Sequence, residues 1–71
     1  MIEIKEESNK GIQHLEKEAN QGNAESNNQL GIIHFKEKDF KKAIHYFKEA
    51  DRLGSIDASY NLGKVKNRSF F

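Results

Sequence analysis

A repeat of 32 residues is the feature that most constrains how this chain can fold. QGNAESNNQLG at positions 21–31 aligns with LGSIDASYNLG at positions 53–63, so that Gly22 matches Gly54 and the Leu-Gly pair at 30–31 matches the pair at 62–63. Repetition at about 20 to 50 residues is typical of arrays in which one supersecondary unit stacks on the next to bury a shared apolar face. The sequence therefore predicts a short helical-repeat array.

Length and composition set further bounds on the class of protein. The chain has 71 residues, which favours a single domain over 1–71, and a chain of this size buries only about 60% of its unfolded surface, which disfavours a deep catalytic cavity. Cysteine is absent, so disulfides and thiolate metal sites are excluded, and a reducing, cytoplasmic location is expected. The start MIEIKEESNK has no continuous apolar stretch, so we expect no secretory signal, membrane anchor or membrane partner.

Apolar residues recur at helical spacing between the punctuating residues. Gly22 and Gly54 suit the left-handed position after a helix, and Asn23, Asp39 and Ser55 suit the position before one. Because the intervening connections are short, neighbouring helices are expected to be antiparallel. The predicted fold class is all-α, with about four helices near 5–20, 24–36, 40–52 and 56–67 and a short tail over 68–71.

Small residues stand where these helices are expected to approach closely. Gly31 and Gly63 follow the repeated leucines Leu30 and Leu62, and a glycine inside a helix costs about 1 kcal/mol relative to alanine. Two glycines at equivalent positions therefore predict a packing requirement at both. The facing positions on the next helix are Ala43 and Ala50.

The residues at these spacings resemble the tetratricopeptide repeat, in which a Leu-Gly pair is followed by an aromatic residue four positions after the leucine. The matching residues are Leu30, Gly31, His34, Phe40, Ala43, Phe47 and Ala50. The segments GNAESNNQLG, KDFKKAIHYFKEA and DRLGSIDASYNLG are similar to the Sel-one-like repeat, and the resemblance extends from about Gly11 to Val65. It implies helix hairpins stacked as a short α-solenoid that serves as a scaffold or adaptor, without catalytic residues or a cofactor.

In such repeats the first helix of each pair lines the concave face, so the resemblance implies a groove between the second and fourth helices. An equally simple interpretation is that Ile32 and Phe35 are covered by neighbouring helices, and for Tyr60 a core role and a contact role are balanced. A mixture of apolar, amide and cationic groups suits recognition of a peptide or a helix. The candidate partner-binding residues are Asn28, Ile32, Phe35, Lys36, Tyr60, Lys64, Asn67 and Arg68.

Charged residues near the end of the chain have two interpretations. Lys64, Lys66 and Arg68 could hold a carboxylate or nucleic-acid phosphates, or they could form a solvated last turn that complements the helix dipole. Three cations without an aromatic platform are too few to predict RNA binding. A nucleic-acid contact is therefore the third hypothesis for function, and nucleic acid is not the expected partner.

The three histidines are scattered along the sequence with no pair at metal-ligand spacing, so no metal site is expected. His34 is expected to be a packed, hydrogen-bonded histidine in an aromatic position. No nucleophile motif, phosphate-binding glycine loop or paired carboxylates are found, so we expect neither an enzyme nor a cofactor.

The leading functional hypothesis is a protein-interaction module whose partner is a peptide or helix. The alternative is a small structural subunit or a truncated array piece that self-associates, with a homodimer formed through uncapped ends. Phe70 and Phe71 are further partner-binding candidates, because burying one phenylalanine contributes about 1.5 to 3 kcal/mol. They are expected either to fold back over the fourth helix or to insert into another molecule.

Overall fold

The computed structural model describes the backbone of residues 2–69 and the side chains of residues 11–67. This part of the chain contains α1 (Ile2–Asn20), α2 (Ala24–Lys36), α3 (Phe40–Arg52) and α4 (Ile56–Ser69), and no strand. The predicted all-α class is confirmed. The bounds of α2 and α3 are as expected, whereas α1 begins three residues earlier and α4 ends two residues later. Neither flank contains a proline or a glycine that would stop a helix sooner.

The first three helices end in the same hydrogen-bonded motif. After each helix one residue has a positive φ: Gly22 (89°), Lys38 (63°) and Gly54 (102°). At the end of α1 the Gly22 amide donates to the Ala19 carbonyl (3.0 Å) and the Asn23 amide donates to the Glu18 carbonyl (3.2 Å). This Schellman pattern satisfies carbonyls that the helix leaves unpaired. The same pattern ends α2, where the Lys38 amide donates to the Phe35 carbonyl and the Asp39 amide to the His34 carbonyl. It also ends α3, where the Gly54 amide donates to the Asp51 carbonyl and the Ser55 amide to the Ala50 carbonyl.

The predicted helix starts are confirmed by side-chain capping bonds. Asn23, Asp39 and Ser55 each accept a hydrogen bond from a backbone amide three residues further on, and such caps satisfy donors in the first helical turn. The amides are those of Ser26 (3.0 Å), Lys42 (3.3 Å) and Ala58 (3.1 Å). The residue with positive φ that ends one helix is followed directly by the capping residue of the next helix. Each connection therefore needs only three residues.

The helices pack in chain order. Within the described residues, α2 contacts α1, α3 and α4, and α3 contacts both α2 and α4, whereas α1 contacts only α2. Phe47 lies at the centre of the core, with 1% of its surface exposed. The buried core cluster consists of Ala43, Phe47, Ala50, Ala58 and Val65. Five partly buried apolar residues pack against this cluster: Ile32, Phe35, Phe40, Ile44 and Leu62.

The two repeated glycines have different environments. A Cβ placed on Gly31 would overlap the ring of Phe47, so this position requires glycine for helices α2 and α3 to approach. A Cβ on Gly63 would meet no atom within 4 Å. The expected packing requirement is therefore found at Gly31 and not at Gly63, because in the described part of the chain no helix lies against that face of α4.

Polar side chains contribute to the contact between α1 and α2. Ser26 and Asn27 are each only 3% exposed. The Ser26 hydroxyl donates to the Glu18 carboxylate (3.0 Å), while the Asn27 amide donates to the carbonyls of Asn23 (2.9 Å) and Ala19 (3.4 Å). Since buried polar groups are stabilised only when hydrogen-bonded, these bonds hold α1 to the start of α2. At the equivalent positions of α3 and α4, Ala50 and Ala58 belong to the apolar core cluster, and the Ser59 hydroxyl donates a hydrogen bond to the Asp51 carboxylate.

Candidate functional site

An apolar groove lies between α2 and α4, with α3 beneath it. We call it the α2–α4 groove; its volume is about 290 Å³. Phe47 of α3 forms its floor, and its two walls come from α2 and α4. A cavity of this size matches the lower end of small ligand sites and suits one bulky side chain. The lining residues are Ile32, Phe35, Lys36, Phe47, Asn61, Lys64 and Val65.

A partly buried hydrogen bond joins the two walls of the groove. The Asn61 side-chain amide donates to the Asn28 side-chain oxygen at 3.1 Å, which joins α4 to α2. Asn28 is 4% exposed, so its oxygen is already satisfied inside the protein. The close approach of α4 makes this side chain an internal link between the two helices, and its contact with a partner stays a prediction.

The apolar wall of the groove is held by aromatic packing. The rings of Phe35 and Phe40 are 5.7 Å apart and inclined by 56°, a tilted arrangement typical of packed aromatic pairs. Ile32 and Phe35 are half-buried against the core cluster. Each side chain therefore packs on the core and also contributes surface to the groove, and its role in partner binding stays a prediction.

Two lysines form the rim of the groove. Lys36 on α2 and Lys64 on α4 are exposed, and the Lys64 amine lies 5.5 Å from the centre of the Tyr60 ring. Such a cation–π contact orients a lysine side chain near an aromatic face. Tyr60, at 71% exposure, is a surface residue and not a core residue. An apolar floor with a cationic rim suits an apolar side chain that has an acidic neighbour.

The structure brings together half of the eight groove candidates. Ile32, Phe35, Lys36 and Lys64 line the groove, and Tyr60 contacts it through Lys64. Asn67 is exposed on α4 but is not part of the lining, and the Arg68 side chain lies outside the described residues. The tail candidates Phe70 and Phe71 also lie outside them.

Three groove residues were not identified as site residues from the sequence: Phe47, Asn61 and Val65. Phe47 was matched to a repeat position and Val65 marked the end of the resemblance; in the structure both are buried in the core and also line the groove. Asn61 could have been found, since it lies three residues before Lys64 and so shares a helix face with it.

A second, polar depression is lined by side chains from α1, α2 and α3. The rings of His34 and Tyr46 stack 5.4 Å apart at 6°, and His45 meets Tyr46 edge-on at 5.2 Å. Burial raises the pKa of Tyr46 above its ordinary value, and the nearby Glu16 carboxylate raises it further. The remaining residues lining this depression are Lys41 and Lys42.

His34 occupies an aromatic stack but differs from the expected hydrogen-bonded histidine. Its Nδ1 atom is buried and has no hydrogen-bond partner within the described residues. The Glu37 carboxylate lies 3.4 Å from this atom without hydrogen-bond geometry. Among residues 11–67, no group of three or more His, Cys, Asp or Glu side chains converges as metal ligands would.

A third pocket, which we call the α1–α2 pocket, lies on the far side of α2. It has a volume of about 550 Å³. Ile12, Leu15 and Ile33 give it an apolar base, and each is only half-buried. The lining residues are Gly11, Ile12, Leu15, Gln29, Ile33 and Glu37.

No family model, curated protein or solved structure matches this chain. The resemblance to tetratricopeptide and Sel-one-like repeats therefore stays a prediction from the residues. None of the described helices combines the length and the apolar character needed to cross a membrane.

Proposed function

We propose that this chain is a non-enzymatic protein-interaction module, built as a short α-solenoid, that binds a peptide or helix of a protein partner in the α2–α4 groove. The observation that carries the proposal is the composition of that groove: a Phe47 floor, an Ile32 and Phe35 wall, and lysines on opposite rims. Apolar anchors set in a polar rim are typical of binding hot spots.

Two features support the solenoid architecture. Consecutive helices are neighbours within the described residues, and α2 also contacts α4, two positions along the chain. The same end motif closes α1, α2 and α3. Both features are expected of one helical unit repeated along an axis.

The groove chemistry defines the class of partner segment. One bulky apolar side chain would occupy the cavity above Phe47, and an acidic residue next to it would lie near Lys36 or Lys64. Exposed lysines attract such a segment mainly by raising its association rate, in a salt-dependent manner. We therefore expect micromolar binding to short acidic peptides that carry one aromatic or branched aliphatic anchor.

A peptide-display selection followed by fluorescence polarisation tests this function. Binding of the selected peptides is measured for the wild type and for the double variant Lys36→Glu/Lys64→Glu, whose substitutions are at exposed sites. The charge-matched control is Lys17→Glu/Lys48→Glu, exposed on α1 and α3 away from the groove. We expect acidic peptides with one apolar anchor, binding that is lost in the groove variant, and unchanged binding in the control.

Two results would contradict the proposal. One is a selection that enriches no peptide over background at micromolar concentrations. The other is a set of peptides that bind the groove variant and the control equally, which would place the binding surface elsewhere on the molecule.

A further inference from the structure

The α2–α4 groove and the α1–α2 pocket are related by the sequence repeat. Leu15, Gln29 and Ile33 line the α1–α2 pocket. A shift of 32 positions takes these residues to Phe47, Asn61 and Val65, which line the α2–α4 groove. The molecule thus forms the same site twice, one repeat apart.

The α1–α2 pocket lacks one of the walls present in the groove. In the groove, α2 contributes Ile32, Phe35 and Lys36. No described helix stands in that place beside α1, and the pocket is accordingly larger, about 550 Å³ against about 290 Å³. The half-burial of Ile12 and Leu15 has the same origin.

Helix α4 has the surface that would complete this pocket. Gly63 is the repeat equivalent of Gly31, which receives the Phe47 ring, but the space beside Gly63 is open. The repeat equivalent of Phe47 is Leu15 on α1, which still has exposed surface. Leu15 of one molecule against Gly63 of another would reproduce the contact between α2 and α3.

The charges of the two surfaces are complementary. Glu37 is exposed and lines the α1–α2 pocket, whereas Lys64 is an exposed cation on α4. In the completed pocket the new wall would bring Lys64 of one copy towards Glu37 of the other, since Lys64 is the repeat equivalent of Ile32. Opposite charges of this kind favour one orientation of association over others.

We propose that a second copy of this chain is the occupant: α4 of one molecule packs against α1 and α2 of the next, head to tail, and completes the α1–α2 pocket. Tyr60 and Ile56, which are 71% and 85% exposed, lie on the helix that the contact covers. Because the two surfaces differ, the contact is heterologous, and each bound copy leaves one further surface of each kind for another molecule. This inference goes beyond the proposed peptide groove and stands on different surfaces, apart from Lys64.

Cysteine crosslinking tests the contact directly, since the chain contains no native cysteine. Gly63→Cys and Leu15→Cys proteins are mixed under mild oxidation, and disulfide-linked products are identified by mass. We expect a mixed disulfide between the two variants and little product from either variant alone. A Lys48→Cys protein, with an exposed cysteine on α3, mixed with Gly63→Cys measures random collision.

Sedimentation equilibrium over a concentration series gives an independent readout. We expect an average mass that continues to rise beyond the dimer, and a weaker association at high salt. Gly63→Arg should weaken association by about tenfold or more, because overpacking a close contact has an effect of that scale. Its circular dichroism melting curve should show a fold at least as stable as the wild type, since the site has open space.

Three results would overturn the inference. A Gly63→Cys homodimer would indicate a two-fold contact through α4. A mixed disulfide no more abundant than the collision control would exclude the Leu15 contact. A mass that stays monomeric at every concentration, or that Gly63→Arg leaves unchanged, would show that α4 remains uncovered by a second copy.

Discussion

Helices α2 and α4 carry the same Leu-Gly pair one repeat apart, yet they are packed very differently. Leu30 is fully buried and Gly31 is pressed against Phe47, whereas Leu62 is half-buried and Gly63 is exposed. The difference follows from the number of neighbours, because α2 contacts three helices and α4 contacts two. A repeated motif therefore contributes more to stability where an adjacent helix lies against it.

The contrast extends to the next equivalent pair. Asn28 on α2 is 4% exposed and hydrogen-bonded to Asn61, while its counterpart Tyr60 on α4 is 71% exposed. A short amide fits the space between two helices, and a large amphipathic ring suits a surface. Both the chemistry and the burial thus separate an interior repeat helix from one with an open face.

The largest expected difference is between Gly31→Leu and Gly63→Leu. Gly31→Leu forces a side chain into Phe47 and should destabilise the fold by more than about 3 kcal/mol, or lower Tm by more than about 12 °C. Gly63→Leu should raise Tm by a few degrees, because leucine has the better helix propensity by about 0.8 kcal/mol. Thermal melts by circular dichroism at low protein concentration compare the two. Equal shifts would refute the packing difference.

The second comparison uses the paired leucines. Leu30→Ala removes a fully buried side chain and should cost about 2 to 3 kcal/mol, whereas Leu62→Ala removes a half-buried one and should cost about 1 kcal/mol. Urea denaturation gives both values, provided that the m-values agree with the wild type. If Leu62→Ala were the more damaging variant, α4 would have to be more deeply packed than its exposure indicates.

A smaller effect is expected at Asn28 and its repeat equivalent, Tyr60. Asn28→Ala removes the link to Asn61 and should cost about 1 kcal/mol, because Asn61 is half-buried and regains part of its hydration. Tyr60→Ala, at an exposed site, should change stability by about 0.5 kcal/mol or less. The Asn61 side-chain amide signals in NMR spectra should shift in the first variant only. A large loss of stability in Tyr60→Ala would show that its ring is packed in solution.

A further effect of about 1 kcal/mol or less is expected at the connections that leave α2 and enter α4. Lys38 and Gly54 both adopt left-handed backbone conformations. Lys38→Gly should stabilise the protein by about 0.5 kcal/mol, since relief of backbone strain exceeds the added unfolded-state entropy, and Gly54→Ala should destabilise it by about 1 kcal/mol. Chemical denaturation resolves both signs. A destabilising Lys38→Gly would mean that the lysine side chain contributes contacts that offset its strain.

Local signals in the sequence were sufficient for the helices and their ends. Asn23, Asp39 and Ser55 were assigned as caps and are caps, since capping depends on a side chain and an amide only three residues away. The left-handed backbone conformation of Lys38 was not predicted, because the equivalent residues after α1 and α3 are glycines and this one is not. The turn between α2 and α3 has the same hydrogen bonds as the others, and these bonds outweigh the usual preference for glycine.

The groove was predicted less completely because it depends on three helices at once. Lys36 and Lys64 could be placed on its rim from helical periodicity and the repeat. The burial of Asn28 could not, because it follows from the distance between α2 and α4, which no local pattern specifies. The role of Phe47 as both core centre and groove floor is likewise a consequence of packing.

The helical class, the positions of the helix ends and the offset of the repeat could be predicted from the residues, because they depend on interactions between positions close in sequence. Which copy of the Leu-Gly motif is buried, and where an apolar site stays open, depends on how the helices pack together. Burial is a property of the space between helices, and two identical motifs differ in it when one has a neighbouring helix and the other faces solvent.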